Sequence, residues 1–173
     1  MDRTEFEAFV TAALPVLSRH GRALTGNTPD AQDLIQDALL RVWRAWPRIR
    51  RDGDPVAYTK TAMARLHAGR MRQLRRRLSG RTVIDPRWSP SDTGRVDNQD
   101  LVRNALMTLP AIQRAVLVMT YLDDADDRTI AEALHRRPSS IRASRSRALA
   151  ALREQIRIDD LPTDSAEGKL HHA

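Results

Sequence analysis

Two carboxylates one helical turn apart, Asp33 and Asp37, have the spacing at which a pair of acids can bridge a divalent cation. No further carboxylate or histidine completes a ligand set beside them. Asp37 also stands four residues before Arg41, which suits an ordinary surface ion pair. A second acidic group, Asp123, Asp124, Asp126 and Asp127, has the composition of a calcium loop without its glycine or terminal glutamate, so helix capping and solvation account for it. The five histidines, His20, His67, His135, His171 and His172, show no His-Glu-x-x-His or comparable spacing. Without cysteine there is no disulfide, thiolate nucleophile, zinc-thiolate site or iron-sulfur cluster. No nucleophile with its base can be nominated, and no glycine-rich phosphate loop is present. The expectation is a protein without catalytic residues, metal or cofactor, and not an enzyme.

The chemistry that remains is cationic. Of 173 residues, 27 are Arg and 2 Lys against 22 Asp+Glu, a formal net charge of +7. The cations fall in two blocks, residues 41–81 and 135–157, separated by acidic stretches. The first holds 13 basic groups against only Asp52 and Asp54. Self-repulsion at that density is most readily relieved by a polyanion, which makes DNA or RNA the leading class of partner. A membrane surface suits the 65–81 segment less well, because it lacks a bulky apolar face. No run approaches the ~20 apolar residues needed to cross a bilayer, and Met-Asp-Arg-Thr-Glu is not a basic region followed by an apolar one. A cytoplasmic protein with no membrane partner is expected.

The elements that carry these residues read as helices, and seven aromatics are few for a β-sandwich core. Residues 4–24 place Phe6, Phe9, Val10, Ala13, Leu14, Leu17 and Leu24 on one stripe, with Pro15 placed to bend the helix. After Gly26-Asn27, Thr28 reads as N-cap and Pro29 as first helical residue of a second helix. Its stripe is Ala31, Leu34, Ile35, Ala38, Val42, Trp43 and Trp46, and Pro47 closes it. Asp54-Pro55 opens a third helix that runs to about Leu78 and is mostly arginine in its second half. Residues 79–98 mix Pro, Gly, Ser and Asp without a period and read as a linker. Helices follow near Gln99–Thr108 and Ala111–Leu122. Asp126 then caps a short helix over Asp127–Leu134, a turn covers His135–Arg137, and Pro138 begins a helix with the stripe Ile141, Ala148, Leu149, Leu152 and Ile156.

Short helix, turn and longer basic helix describe a helix-turn-helix, whose second helix enters the major groove of DNA. Side chains off its apolar stripe reach base edges; here these are Ser139, Ser140, Arg142, Ala143 and Ser146. Arg145, Arg147 and Arg153 lie to the sides or further along, where they suit phosphates. The fold class is therefore all-α: two small helical domains joined by a flexible linker, the C-terminal one a helix-turn-helix. Separate apolar stripes in 4–78 and 98–157 predict lobes that flex against each other in a free monomer.

The order of these segments is that of a known family. Asp-Leu-Ile-Gln-Asp-Ala-Leu-Leu-Arg-Val-Trp at 33–43, a basic third helix, a linker, Leu-Pro-Ala-Ile-Gln-Arg-Ala-Val-Leu at 109–117 and a terminal helix-turn-helix together resemble a sigma factor of bacterial RNA polymerase. The resemblance, over about residues 5–157, is to the extracytoplasmic-function (ECF) group, which keeps the second and fourth conserved regions, and within it to the actinobacterial branch.

That resemblance implies the division 1–78 as region 2, 79–98 as linker, 99–157 as region 4 and 158–173 as tail. It implies that core RNA polymerase is bound at its largest-subunit clamp helices through Asp33, Gln36, Asp37, Leu40, Arg41 and Arg44, with region 4 near the flap. Promoter DNA would be held at the melted −10 element by residues within 48–54, then Tyr58, Lys60, Arg65, Arg70, Arg72, Arg75, Arg76 and Arg77. Region 4 would read the −35 element through Ser139, Ser140, Arg142 and Ser146, and an anti-sigma factor is a further partner of this group. The chain departs from the family at Arg65, where many relatives have Asn, and at Arg70 and Met71, where the branch often has paired tryptophans. Base stacking, worth about 1–3 kcal/mol per base, is thus unavailable at those two positions. His135 replaces the usual turn glycine and Arg137 the usual capping serine, which predicts a looser turn. The alternative, a free-standing helix-turn-helix regulator, would normally dimerise on two half-sites, and no dimerisation seam is evident.

Overall fold

The computed structural model describes residues 3–77 and 98–159, and among these every regular element is an α-helix. The helices are α1 Arg3–Thr25, α2 Thr28–Asp52, α3 Pro55–Arg77, α4 Asn98–Thr108, α5 Ala111–Tyr121, α6 Asp127–Leu134 and α7 Pro138–Asp159. The expected linker, its last residue apart, lies outside the described residues, as does the tail beyond residue 159.

Local chemistry sets the helix starts. Asn27, rather than Thr28, caps α2: its Oδ1 accepts from the Asp30 backbone N–H at 2.8 Å. Asp54 caps α3 by accepting from the N–H groups of Val56 and Ala57 at 2.8 and 3.1 Å, with Pro55 as its first residue. Asp126 does the same for α6 through the Thr129 N–H at 2.7 Å. Pro47 does not close α2. A proline inside a helix loses one hydrogen bond, but Ile49 is buried with Val42 and Trp46, and the Gly53 N–H closes on the Ile49 carbonyl. Burial of one more apolar residue thus carries the helix past the proline to Asp52. Pro15 likewise lies within a continuous α1.

The buried line of α1 is Ala13, Leu17, His20, Gly21 and Leu24, whereas Leu14 is exposed. One residue is 100° of helix, so Leu14 cannot share the bearing of Ala13 and Leu17. Between α1 and α2 the chain turns at Gly26, whose φ of +83° suits glycine. A Cβ there would stand 2.4 Å from the Met107 sulfur of α4.

The lobes do not stand apart. Leu17, Leu24, Leu34 and Met63 from the first belong to one cluster with Val116, Ile130 and Ile141 from the second. The physical cause is α5, in which every residue from Arg114 to Met119 is buried. A helix apolar all round must be covered on all sides. It packs on α7 at one face and on α1 and α3 at the other, while α3 also meets α6. Smaller clusters flank this core: Val42, Trp46 and Ile49 with Phe6, Phe9 and Tyr58, and Leu109, Leu117 and Ala148 with Leu106, Leu149 and Leu152. Phe6 meets both α2 tryptophans edge-on, with centroids 4.8 Å from Trp43 and 5.1 Å from Trp46.

Candidate nucleic-acid interface

Three faces carry the residues singled out in the sequence. On α2, Leu34, Ile35, Ala38 and Val42 are buried, which turns Asp33, Gln36, Leu40, Arg41 and Arg44 outward. Leu40 is 58% exposed in the middle of this polar face, an apolar side chain available to a partner. Asp37, half-buried, forms an ion pair with Arg70 of α3 rather than with Arg41. Tertiary packing brings α3 alongside α2 and overrides the four-residue spacing.

The second face is α3, and here four of the eight expected strand-holding residues already have partners. Tyr58 packs against the Val42–Trp46–Ile49 cluster. The Lys60 ammonium lies 2.8 Å from Asp123, in the turn between α5 and α6. Arg65 donates to the Glu132 carbonyl at 3.1 Å and to that of Ala133, at the C-terminal end of α6. Arg70 is engaged by Asp37. Arg72, Arg76 and Arg77 are exposed on the last turns, and Arg75 lies on the same helix.

The third face is α7. Ile141, Ser144 and Ala148 are buried, and Ser139, Ser140, Arg142, Ala143, Ser146 and Arg147 are exposed. Arg145 is instead bound by Asp127 of α6 in a two-pronged ion pair, its second contact at 3.3 Å. The pair fixes the crossing of the two helices of the helix-turn-helix. The turn between them is not loose. His135 takes φ 51° and ψ 52°, and the N–H of Arg136 closes on the Ala131 carbonyl at 2.9 Å, which is the Schellman arrangement usually served by glycine. Arg136 joins Ser139, Ser140, Ser144, Arg147 and Ile112 around a groove of about 350 Å³ at the start of α7. Arg136 is not among the residues expected from the sequence, although Arg136-Arg137 in a turn directly ahead of Pro138 places two cations beside the start of α7.

Buried polar groups at the seam between lobes were also missed. Arg114, 2% exposed, donates to the Leu24 carbonyl at the end of α1 at 2.7 Å and to the Leu109 carbonyl at 3.2 Å. A cation at a helix C-terminus is favoured by the helix dipole. His20, also buried, has its Nδ1 3.3 Å from Asp123. Burial is the largest influence on the Asp123 carboxyl and would raise its pKa, yet the contacts with His20 and Lys60 together hold it below the ordinary carboxylate value. His67 on α3 is pushed down to about 3, first by burial and then by the charges of Arg114 and Arg70, and so stays neutral. Among the described residues no group of three His, Cys, Asp or Glu side chains could hold a metal ion, and no helix is long and apolar enough to cross a membrane.

Comparison with known proteins matches the sigma-70 region 2 model to residues 9–77 and the sigma-70 region 4 model to residues 99–152. The RNA polymerase sigma-E factor of Streptomyces coelicolor is 30% identical over 165 residues, covering 94% of this chain and 92% of that protein. The ECF RNA polymerase sigma factor SigD of Mycobacterium tuberculosis is 27% identical over 172 residues, covering 90% and 78%. Among solved structures, the sigma factor RpoE of Bartonella quintana, in complex with the anti-sigma factor NepR, has the same fold, with a TM-score of 0.66 and 24% identity over 90% of this chain and 98% of that one. With both conserved regions matched in order and the Streptomyces relative aligned over nearly its whole length, the chain belongs to the sigma-70 family of RNA polymerase sigma factors, in its ECF group.

Proposed function

We propose that this sigma factor docks on the clamp helices of core RNA polymerase through the outward face of α2, holds the melted −10 element with α3, and reads the −35 element with α7. The observation that carries the reading is α7 itself: Ser139, Ser140, Arg142 and Ser146 face solvent together while Ile141 and Ala148 anchor the helix in the core. Hydrogen-bonding groups displayed on a rigid helix are what major-groove readout requires. Arg136, Arg147 and Arg153, exposed around them, supply phosphate contacts that set register without reading sequence. The exposed Leu40 among Asp33, Gln36, Arg41 and Arg44 favours polymerase docking over a free-standing regulator, for which an apolar side chain on that face would have no use.

On this reading the protein contributes promoter choice and no bond chemistry, and works in the cytoplasm with polymerase and DNA. An anti-sigma factor would act by covering these same faces. The test is capture of core polymerase by the tagged chain, followed by run-off transcription on a promoter library. Capture with a consistent pair of selected elements is expected; transcription no more selective than that of core alone would refute the assignment.

A further inference from the structure

The groove of about 350 Å³ at the start of α7 has the chemistry of an anion seat. Its lining side chains are cationic, hydroxylic or aliphatic, with Arg136 and Arg147 beside Ser139, Ser140 and Ser144. Ser144 is only 8% exposed, and its hydroxyl has no hydrogen-bond partner among the described residues. A buried hydroxyl in that state is satisfied by an oxygen entering the groove. The helix start points the same way. The Arg137 carbonyl accepts from the N–H groups of Ser140 and Ile141 at 2.9 and 3.2 Å, which makes Arg137 the cap residue of α7. A guanidinium has donors only, so it cannot cap as Asn27, Asp54 and Asp126 do on their helices. The positive end of α7 is thus left without a side-chain oxygen from its own cap.

We propose that Ser139 is a phosphorylation site, and that its phosphate settles in this groove and switches off reading of the −35 element. The proposal rests on the assignment of α7 to that element made above. Ser139 is exposed, lies in the first turn of α7 and follows Arg136-Arg137 by three and two positions. Two cations just ahead of a serine are the charge pattern by which a protein kinase with an acidic peptide groove chooses its substrate. In the transfer, the Ser139 Oγ attacks the γ-phosphorus of ATP held by the kinase. The Oγ–P bond forms as the bond to the β,γ-bridging oxygen breaks, ADP leaves, and the hydroxyl proton passes to the base of the kinase. A phosphate at a helix N-terminus among arginines gains charge-assisted hydrogen bonds. Arg136 and Arg147 are then neutralised from within the chain and withdrawn from DNA phosphates, and the Ser139 hydroxyl is lost to base edges. The helix itself stays in place, because Ile141 and Ala148 hold it on the buried side.

Ser79 also follows two arginines, Arg76-Arg77, and lies outside the described residues, so Ser79→Ala serves as the parent chain. In the first arm the parent is incubated with the cyclic-AMP-dependent protein kinase, an arginine-directed enzyme, and magnesium ATP. Peptide mass mapping should place a phosphate on Ser139, and no incorporation there would overturn the proposal. In the second arm, phosphoserine is installed at position 139 by genetic encoding, and the modified and unmodified chains are titrated with the −35 duplex selected in the run-off library. Modification should lower affinity at least roughly tenfold and flatten the slope of log affinity against log salt by about 1.8, the share of two phosphate contacts. The melting midpoint should not fall, since a phosphate in the first turn favours the helix. By phosphorus NMR the phosphoserine should titrate below its ordinary value and return toward it when Arg136→Ala and Arg147→Ala are added. Undiminished affinity would overturn the switch and leave the assignment of α7 standing. Weaker binding with a lowered midpoint, or with an ordinary phosphoserine titration, would overturn it as well, because the phosphate would then not be seated between the arginines. An unmodified chain that selects no duplex would instead remove the assignment of α7 on which the proposal rests.

Discussion

At the scale of single residues, burial decides which ionisable groups can act. His67 takes up a proton in the unfolded chain below its ordinary value of 6.5, but in the fold only near 3. Stability from this group is therefore complete above pH 6.5 and is lost as the pH falls toward 3. At 1.36 kcal/mol per pKa unit, about 2 kcal/mol should disappear between pH 7 and pH 5. His67→Leu should flatten that dependence. Urea melts of both proteins at the two pH values check it, and a parent equally stable at pH 5 and 7 would exclude it. His135 shows the opposite situation, a side chain tolerated where glycine fits better. His135→Gly should raise stability by about 1 kcal/mol by removing left-handed strain, read as a higher denaturant midpoint at unchanged slope. On α7, Arg142→Ala should cost about 1–3 kcal/mol at one base position if the guanidinium pairs with a guanine, whereas Arg153→Ala should weaken all sequences alike. Binding to a set of single-base operator variants separates the two outcomes.

At the scale of elements, a helix serves two masters, with one face committed to the core and the other left for a partner. The stripe of α2 is complete without Asp33 or Leu40, so Asp33→Arg and Leu40→Asp should leave the circular dichroism spectrum and melting unchanged while reducing capture of core polymerase at least tenfold. Asp33 is the cleaner probe than Asp37, because Asp37 also holds Arg70. An exposed pair of that kind is worth about 0–1 kcal/mol, so Asp37→Arg should also fold. Full capture by both Asp33→Arg and Leu40→Asp would move docking to another face. The capping residues belong to the same scale. Asp126→Ala removes the acceptor for the Thr129 N–H and should cost about 1 kcal/mol, felt first in the helix-turn-helix.

At the scale of the whole molecule, the shared core turns two small lobes into one cooperative body. A lobe of this size buries a smaller fraction of its surface on its own than a larger domain does, and α5 hands part of its circumference to each side. Calorimetry should therefore show one unfolding transition with equal calorimetric and van't Hoff enthalpies. Gly26→Ala, which drives a Cβ into Met107 across the seam, should lower the midpoint of both lobes together. Two resolved transitions would mean that the seam does not couple the lobes.

The helices, the caps of α3 and α6 and the order of the elements were legible in the sequence because each depends on residues within four positions of one another: Asp54-Pro55, Asp126 with Thr129, and the stripe of α2 are complete local statements, whereas the cap of α2 fell one residue earlier than expected, at Asn27. The outward face of α7 was legible for the same reason, since periodicity assigns the buried side and leaves the remainder. Pro47 marks where that logic stops, because a local stop signal lost to the burial of Ile49. The partners of Lys60, Arg65, Arg70 and Arg114 could not be read at all. Arg65 and Ala133 are 68 positions apart and Arg114 and Leu24 are 90 apart, and no periodicity links a cation to a carbonyl that will become a helix end beside it. The sequence by itself determined which side chains of α2 and α7 turn outward. Only the tertiary structure decided which cations are free, because a charge acquires its partner from the packing of apolar faces around it.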